Sequence, residues 1–288
     1  MLLHLAAALS RLPIGVHYWI SDRLLFPIMY YIVRYRRRMV DQNLRLAFPD
    51  KSDTERRRIA RDFYRQFCDV LVETIYGYRC SEQEMRQRVD IIGMDEANKL
   101  IDAAGGGIFM LAHLGNWEWQ ASVQQWLSPG VTELNVYRQL NNRHFDDLML
   151  AIRAKRGGRC VEKNQLLREM VRCRAANQPV TIGLICDQKP RPEVTRTWLT
   201  FLHQETGFLD GGEVLGKKFN YPVFYGYMQR VRRGYYRSEV RLLAAKPQEL
   251  PEGEITKRYA HELEQNIIAE PHLWLWTHNR WKWKRPVA

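Results

Sequence analysis

From about residue 90 onward, short apolar runs alternate with stretches of helical periodicity. No other feature restricts the fold of this chain as much. Strands are expected at 107–113, 133–138, 158–162, 179–186, 222–230 and 235–244. Helices are expected at 117–126, 142–156, 164–176, 210–220 and 254–269. Strands separated by single helices return in the same direction. The pattern therefore predicts an α/β fold, a mainly parallel sheet covered by helices. The cluster Ala103-Ala104-Gly105-Gly106-Gly107 precedes its strand, whereas a phosphate loop would follow one. It reads as a helix-to-strand turn.

One of the apolar runs ends in chemistry. Ile108-Phe109-Met110-Leu111-Ala112 leads into His113, and Leu114-Gly115-Asn116-Trp117-Glu118 follows. Asn116 suits a helix N-cap, which puts Glu118 in the first turn of the next helix. His113 then stands at the carboxyl end of a strand, where α/β proteins place their reactive groups. A histidine takes up a proton near neutral pH, and a nearby carboxylate can hold its ring and stabilise the imidazolium. The pair reads as a base and its orienter with no nucleophile of its own. A plainer reading makes His113 a strand-end cap and Glu118 a partner of the helix dipole. Zinc is disfavoured, because the spacing is not His-Glu-x-x-His and no second His or Cys lies close by.

Further strand ends carry suggestive groups. Arg138 follows Val136-Tyr137 and can clamp a phosphate or carboxylate. Asp187-Gln188 follow Cys186, where the aspartate fixes a cation, orients a neighbour or caps a turn. Thr206-Gly207 precede a helix, with backbone N–H groups that suit an anion. Pro222 shapes the entry to the next strand. All are expected at the same sheet edge as His113.

The chain has 288 residues, 45% of them hydrophobic, and a formal net charge of +12. The size suits one large domain or a domain with an added helical segment. The charge points to an anionic partner, either nucleic acid, a lipid surface or an acidic protein. No zinc-finger, RNA-recognition or helix-turn-helix signature favours nucleic acid. The five cysteines are odd in number and include no Cys-x-x-Cys. They read as small core residues in a reducing compartment.

Residues 1–33 carry only Arg11, Asp22 and Arg23 as charges. No apolar run reaches the roughly 20 residues of a membrane span. Two short apolar segments, broken near Asp22-Arg23, read as an interfacial or re-entrant membrane-associating hairpin; buried helices are the alternative. Arg34-Tyr35-Arg36-Arg37-Arg38 adjoin this segment. Four of the nine tryptophans fall in the basic tail from Trp274 to Arg285. Tryptophan with lysine is an interfacial signature, and a tail packed on the body is the alternative. Residues 34–90 read as helices, one of them capped by Ser52 or Asp53, with a capping box at Ser81-Glu82-Gln83-Glu84. The expected organisation is a membrane-associating segment 1–33, a helical part 34–90 and an α/β part 91–288.

The order and spacing of these boxes resemble the bacterial lysophospholipid acyltransferase superfamily over nearly the whole chain. They are most similar to its lipid A late acyltransferase branch, of the lauroyl- and myristoyltransferase type. The family's His-x4-Asp/Glu box matches His113 and Glu118, its arginine box Arg138, and its aspartate box Asp187-Gln188. Its later elements match Thr206-Gly207 and Pro222. Arg230-Val231-Arg232-Arg233-Gly234-Tyr235-Tyr236 is similar to members of the branch from Bacteroidota. The Glu-Gly-Thr-Arg box of the glycerolipid branch is absent. Lys189-Pro190-Arg191-Pro192 stands where the lipid A branch often has glycine and arginine, which leaves the acceptor open.

The resemblance implies an acyltransferase with a glycerolipid-acyltransferase-like fold at the cytoplasmic face of the inner membrane. The implied reaction moves an acyl chain from a thioester to a hydroxyl of a lipid A precursor. His113 and Glu118 are the implied catalytic residues. Asn116, Arg138, Asp187, Gln188, Thr206 and Gly207 are the expected substrate-binding residues. Acyl carrier protein or coenzyme A is the implied donor, and no metal or further cofactor is expected. Acylation of another membrane lipid is the competing function.

Overall fold

A computed structural model of the protein describes residues 2–155 and 157–286. The N-terminal third is helical. α1 (Leu2–Leu9) and α2 (Ile14–Ile20) meet at a turn before Pro13. α2 continues through π-helical turns at Ser21–Leu25 and Ile28–Ile32. The break expected at Asp22-Arg23 therefore lies at Pro13 instead. The helix survives its polar pair because Ser21 Oγ donates to Asp69 at 2.7 Å and Asp22 pairs with Arg233 at 2.7 Å. Among the described residues no helix is long and apolar enough to cross a membrane.

α3 (Arg37–Ala47) and the long α4 (Asp53–Gly77) follow. Ser52 and Glu55 close a full capping box at the start of α4, satisfying two donors that the first turn leaves free. α5 (Glu82–Arg88) has only half of its expected box. Ser81 accepts from Glu84 N, but the Glu84 carboxylate is taken by Tyr76 and Arg88.

The remainder reads β1 (Val89–Ile92), α6 (Met94–Ala104), β2 (Gly106–Leu111), α7 (Trp117–Gln120), β3 (Thr132–Tyr137), α8 (Arg143–Ala154), β4 (Arg159–Glu162), α9 (Leu166–Ala175) and β5 (Val180–Ile185). It ends with β6 (Thr197–Phe201), β7 (Gln204–Phe208), α10 (Gly211–Phe219), β8 (Val223–Arg232), β9 (Tyr235–Ala244) and α11 (Glu254–Ala269). Seven strands form one sheet in the order β1-β9-β8-β2-β5-β3-β4. β8, β2, β5, β3 and β4 run parallel, while β9 pairs antiparallel with β8 and carries β1 beside it. The sheet is thus mixed but mostly parallel. β6 and β7 form a separate hairpin.

β2 lies at the centre, and its side chains alternate between two cores. Ile108 and Met110 join Ile182, Tyr225, Tyr259 and Leu263 on one face. Phe109 joins Phe224, Trp119, Val123 and Tyr236 on the other. A strand covered on both faces has to be apolar throughout, which is why 108–112 holds no polar residue.

The C-terminal tail is a strap across the body. Trp274 and Trp276 are buried, and Trp281 Nε1 donates to Thr206 Oγ1 at 2.9 Å. Only Trp283 of the four is well exposed. The other three pack on the protein, where Trp274, Trp276 and Trp281 N–H groups find acceptors.

Candidate active site

Strand register builds the site. β2 and β5 are adjacent and parallel, with Leu111 opposite Ile185. Two residues beyond each end, His113 and Asp187 emerge side by side. His113 Nδ1 lies 2.8 Å from Asp187 Oδ1, and the His113 backbone N–H donates to Oδ2 at 3.0 Å. Trp274 Nε1 donates to the same Oδ2 at 2.8 Å. Asp187 is almost wholly buried. Burial alone would raise its pKa, but the neighbouring His113 charge and the three hydrogen bonds outweigh it, and its pKa lies below the ordinary value. Asp187 is therefore a carboxylate at neutral pH.

A carboxylate against Nδ1 keeps the proton on that nitrogen and leaves a lone pair on Nε2. Gln188 Nε2 stands 3.4 Å from His113 Nε2, and the Trp117 ring meets the imidazole edge-on at 5.4 Å. The C-terminal strap clamps the loop. Leu275 N donates to His113 O at 3.1 Å and Gly115 N to Leu273 O at 3.1 Å. Gly115 itself has φ of 63°, and a Cβ there would sit 3.0 Å from Met228 O. Trp274→Phe removes one donor from the buried carboxylate. A lost hydrogen bond to a charged group predicts a fall in kcat of about tenfold, with KM little changed. Steady-state kinetics on the purified variant check this.

The structure gives the expected orienter a different partner. Glu118 does sit in the first turn of α7, capped by Asn116 Oδ1 accepting from Trp119 N at 3.2 Å. Its carboxylate, however, is held in a two-point pair by Arg153 of α8, at 2.9 and 2.7 Å. Among the described residues no hydrogen bond joins it to His113. The planar guanidinium matches both carboxylate oxygens at once, a stronger arrangement than one bond to an imidazole.

Asn116, expected to bind substrate, is fully buried and donates to Glu73 Oε2 at 2.8 Å. Glu73 is a structural hub, also accepting from Tyr18 at 2.9 Å and Tyr236 at 2.7 Å. Burial raises its pKa, and the tyrosine hydrogen bonds act against that rise. Through it the N-terminal helix is tied to the loop that follows His113.

Arg138 is exposed beyond the carboxyl end of β3, without a hydrogen-bond or ion-pair partner among the described residues. Thr206 and Gly207 lie in β7, not in a helix-leading loop. Thr206 accepts from Trp281, and Gly207 O accepts from Arg280 Nη2 at 2.7 Å. Their polar groups hold the strap. Pro222 lies at the opposite sheet edge. β8 runs parallel to β2, and Pro222 O accepts from Ile108 N at the start of that strand.

A cationic cluster flanks the pair, one that the spacing in sequence did not reveal. Lys189 follows Gln188, and Arg36 Nη1 donates to Thr277 O at 3.0 Å in the strap. Burial and the charges of Lys282, Arg36 and Arg280 together lower the Lys189 pKa. His278 is pushed down to about 4, first by burial and then by Lys189, Arg280 and His113. Arg280 is buried, with Nε lacking a partner among the described residues. Lys189, Lys282, Arg36 and Arg280 create a positive field beside His113, which suits a phosphate-bearing ligand.

Cys68, Cys160, Cys173 and Cys186 are free thiols. Burial, with the Asp187 charge adding to it, pushes Cys186 far up, so it stays protonated and unreactive. Among the described residues no group of three or more His, Cys, Asp or Glu is placed to hold a metal ion.

Comparison with known proteins gives this geometry its context. The family described as bacterial lipid A biosynthesis acyltransferase matches residues 2–283. The lipid A biosynthesis lauroyltransferase of Escherichia coli (strain K12) is 22% identical over 299 aligned positions, covering 98% of this chain and 94% of that protein.

Proposed function

Taking as premise that this chain belongs to the bacterial lipid A biosynthesis acyltransferase family, we propose that it moves an acyl chain from a thioester to a lipid A hydroxyl by general-base catalysis at His113. The observation that carries this reading is the Nδ1–Asp187 contact, which leaves Nε2 ready to accept a proton. The acceptor hydroxyl gives its proton to Nε2 as its oxygen attacks the thioester carbonyl carbon. Asp187 holds the ring and stabilises the imidazolium, as the buried carboxylate does in a serine-protease triad. When the tetrahedral intermediate collapses, the C–S bond breaks and the thiolate takes the proton back. The nucleophile is the substrate, so no acyl-enzyme forms.

Glu118 keeps a supporting role, pairing with Arg153 to set the start of α7 against α8. Gln188 directs its amide at Nε2 and at the oxygen that attacks there. Lys189, Lys282 and Arg36, with the open Arg138, are assigned to phosphate on the acceptor or the donor. Acyl carrier protein is the favoured donor, because a net charge of +12 attracts an acidic carrier. The proposed location is the cytoplasmic face of the inner membrane. The proposed reaction draws on these residues, the acceptor hydroxyl and the thioester.

The test is the mass of lipid A from a strain lacking its late acyltransferase. Expression of this protein is expected to add the mass of one acyl chain. Unchanged lipid A, with a new acyl group on another lipid, would refute the acceptor. A covalent acyl group trapped on Cys186 or a serine would refute direct transfer.

A further inference from the structure

A second basic feature lies on the helical N-terminal part. An open groove of about 700 Å³ is lined by Tyr30, Tyr31, Arg37, Asp62 and four arginines of α4. Those four are Arg57, Arg58, Arg61 and Arg65, all exposed. Three of them recur at intervals of four residues, which aligns them along one helix face. Asp62 is the one acid in the lining, and it meets Arg58 and Arg65 only loosely, at 3.9 and 3.6 Å. Arg57 and Arg61 have no hydrogen-bond or ion-pair partner among the described residues.

The groove adjoins an apolar surface. Tyr31, which lines it, is 52% exposed, and the next residues, Ile32 and Val33, are 73% and 61% exposed. Leu24 and Ile28 precede Ile32 at four-residue intervals and are also exposed. The other side of the same helix is buried through His17, Ser21 and Phe26. An exposed apolar helix face beside unpaired arginines matches a bilayer surface, with acyl chains under the helix and phosphates in the groove. A soluble acidic partner would account for the arginines but not for the apolar face. The groove also adjoins the catalytic side, since Arg37 lines it while its neighbour Arg36 holds the strap.

We propose that the groove of Arg37, Arg57, Arg58, Arg61 and Arg65 seats the phosphate headgroups of anionic phospholipids and docks the enzyme on the bilayer. The inference rests on the proposed membrane location and assigns it a site.

The full chain is sedimented with vesicles of phosphatidylcholine, with or without phosphatidylglycerol. The Arg57→Gln/Arg61→Gln variant is expected to bind phosphatidylglycerol vesicles roughly thirtyfold more weakly than the unaltered protein, the combined effect of two surface charges. Arg168→Gln/Arg174→Gln, on α9, removes the same charge and is expected to leave binding within about twofold. Equal losses in the two variants would mean that net charge alone acts and would overturn the groove. So would unchanged vesicle binding by the groove variant, including the case where it loses affinity for acyl carrier protein instead. Vesicle binding is read without any acyl transfer. Failure of the lipid A mass test therefore leaves this result standing, and the reverse also holds.

Discussion

Asp187→Asn is expected to lower acyl transfer roughly 1,000- to 10,000-fold, comparable with the loss in His113→Ala. The carboxylate accepts from the His113 ring, the His113 backbone and Trp274. An asparagine offers one acceptor oxygen and a donor amide. Turned so that its oxygen serves the backbone and Trp274, it presents N–H to Nδ1. The ring then carries its proton on Nε2, and the base is lost. The effect should fall on kcat, with vesicle binding intact and a melting temperature that shows the fold is kept. Glu118→Gln should lose at least about tenfold less, because Glu118 acts at one remove from the ring. An equal or larger loss in Glu118→Gln would transfer the orienting role to Glu118. It would then have to leave Arg153 in the substrate complex.

The second large effect is on stability. Glu133 is fully buried in β3, with Oε1 lacking a partner among the described residues and a 3.4 Å contact from Asn135 to Oε2. Burial pushes its pKa up to about 8, against an ordinary value of 4.5. In the folded protein the group holds its proton over that window, while the unfolded chain releases it. Stability from this site is therefore full below pH 4.5 and declines as pH rises toward 8. At about 1.36 kcal/mol per pH unit the loss is on the order of 3 kcal/mol at pH 7. Glu133→Gln keeps the shape and cannot ionise. Its melting temperature should exceed that of the unaltered protein at pH 8 and match it near pH 4.5. Parallel profiles across that range would refute the assignment.

Much of this architecture was legible because local patterns encode it. Five apolar runs became parallel strands, and the run at 235–244 became β9, which follows β8 through a short turn at Gly234 (φ 74°) rather than a helix and so runs antiparallel to it. β1 escaped because it has four residues and follows α5 without a break. The β6–β7 hairpin escaped for a different reason. Its turn is Leu202-His203, both with positive φ, where Asn or Gly would have signalled it. In the site, His113 was visible as a polar end to a buried strand. Asp187 was expected at the same sheet edge, but its pairing with His113 was not legible, because the two lie 74 residues apart and meet only through the register of β2 and β5. Glu118 was the nearer carboxylate in sequence, but Arg153, brought over by α8, occupies it. The tail showed the same ambiguity. Tryptophans beside lysines fit a membrane surface or a protein surface equally well until their N–H acceptors are known.

The strap also fixes when the proposed catalytic site can exist. Trp274 reaches Asp187 across 87 residues of chain, and Leu275 follows His113 by 162. Synthesis runs from the amino end, so every strand of the sheet is made before the segment that clamps its reactive edge. If the groove of α4 docks as proposed, a nascent chain settles on a bilayer while His113 and Asp187 still lack their cover. On the proposed docking and mechanism, assembly of the reactive centre follows arrival at the membrane, and a ribosome stalled before residue 274 is expected to yield a docked but inactive protein.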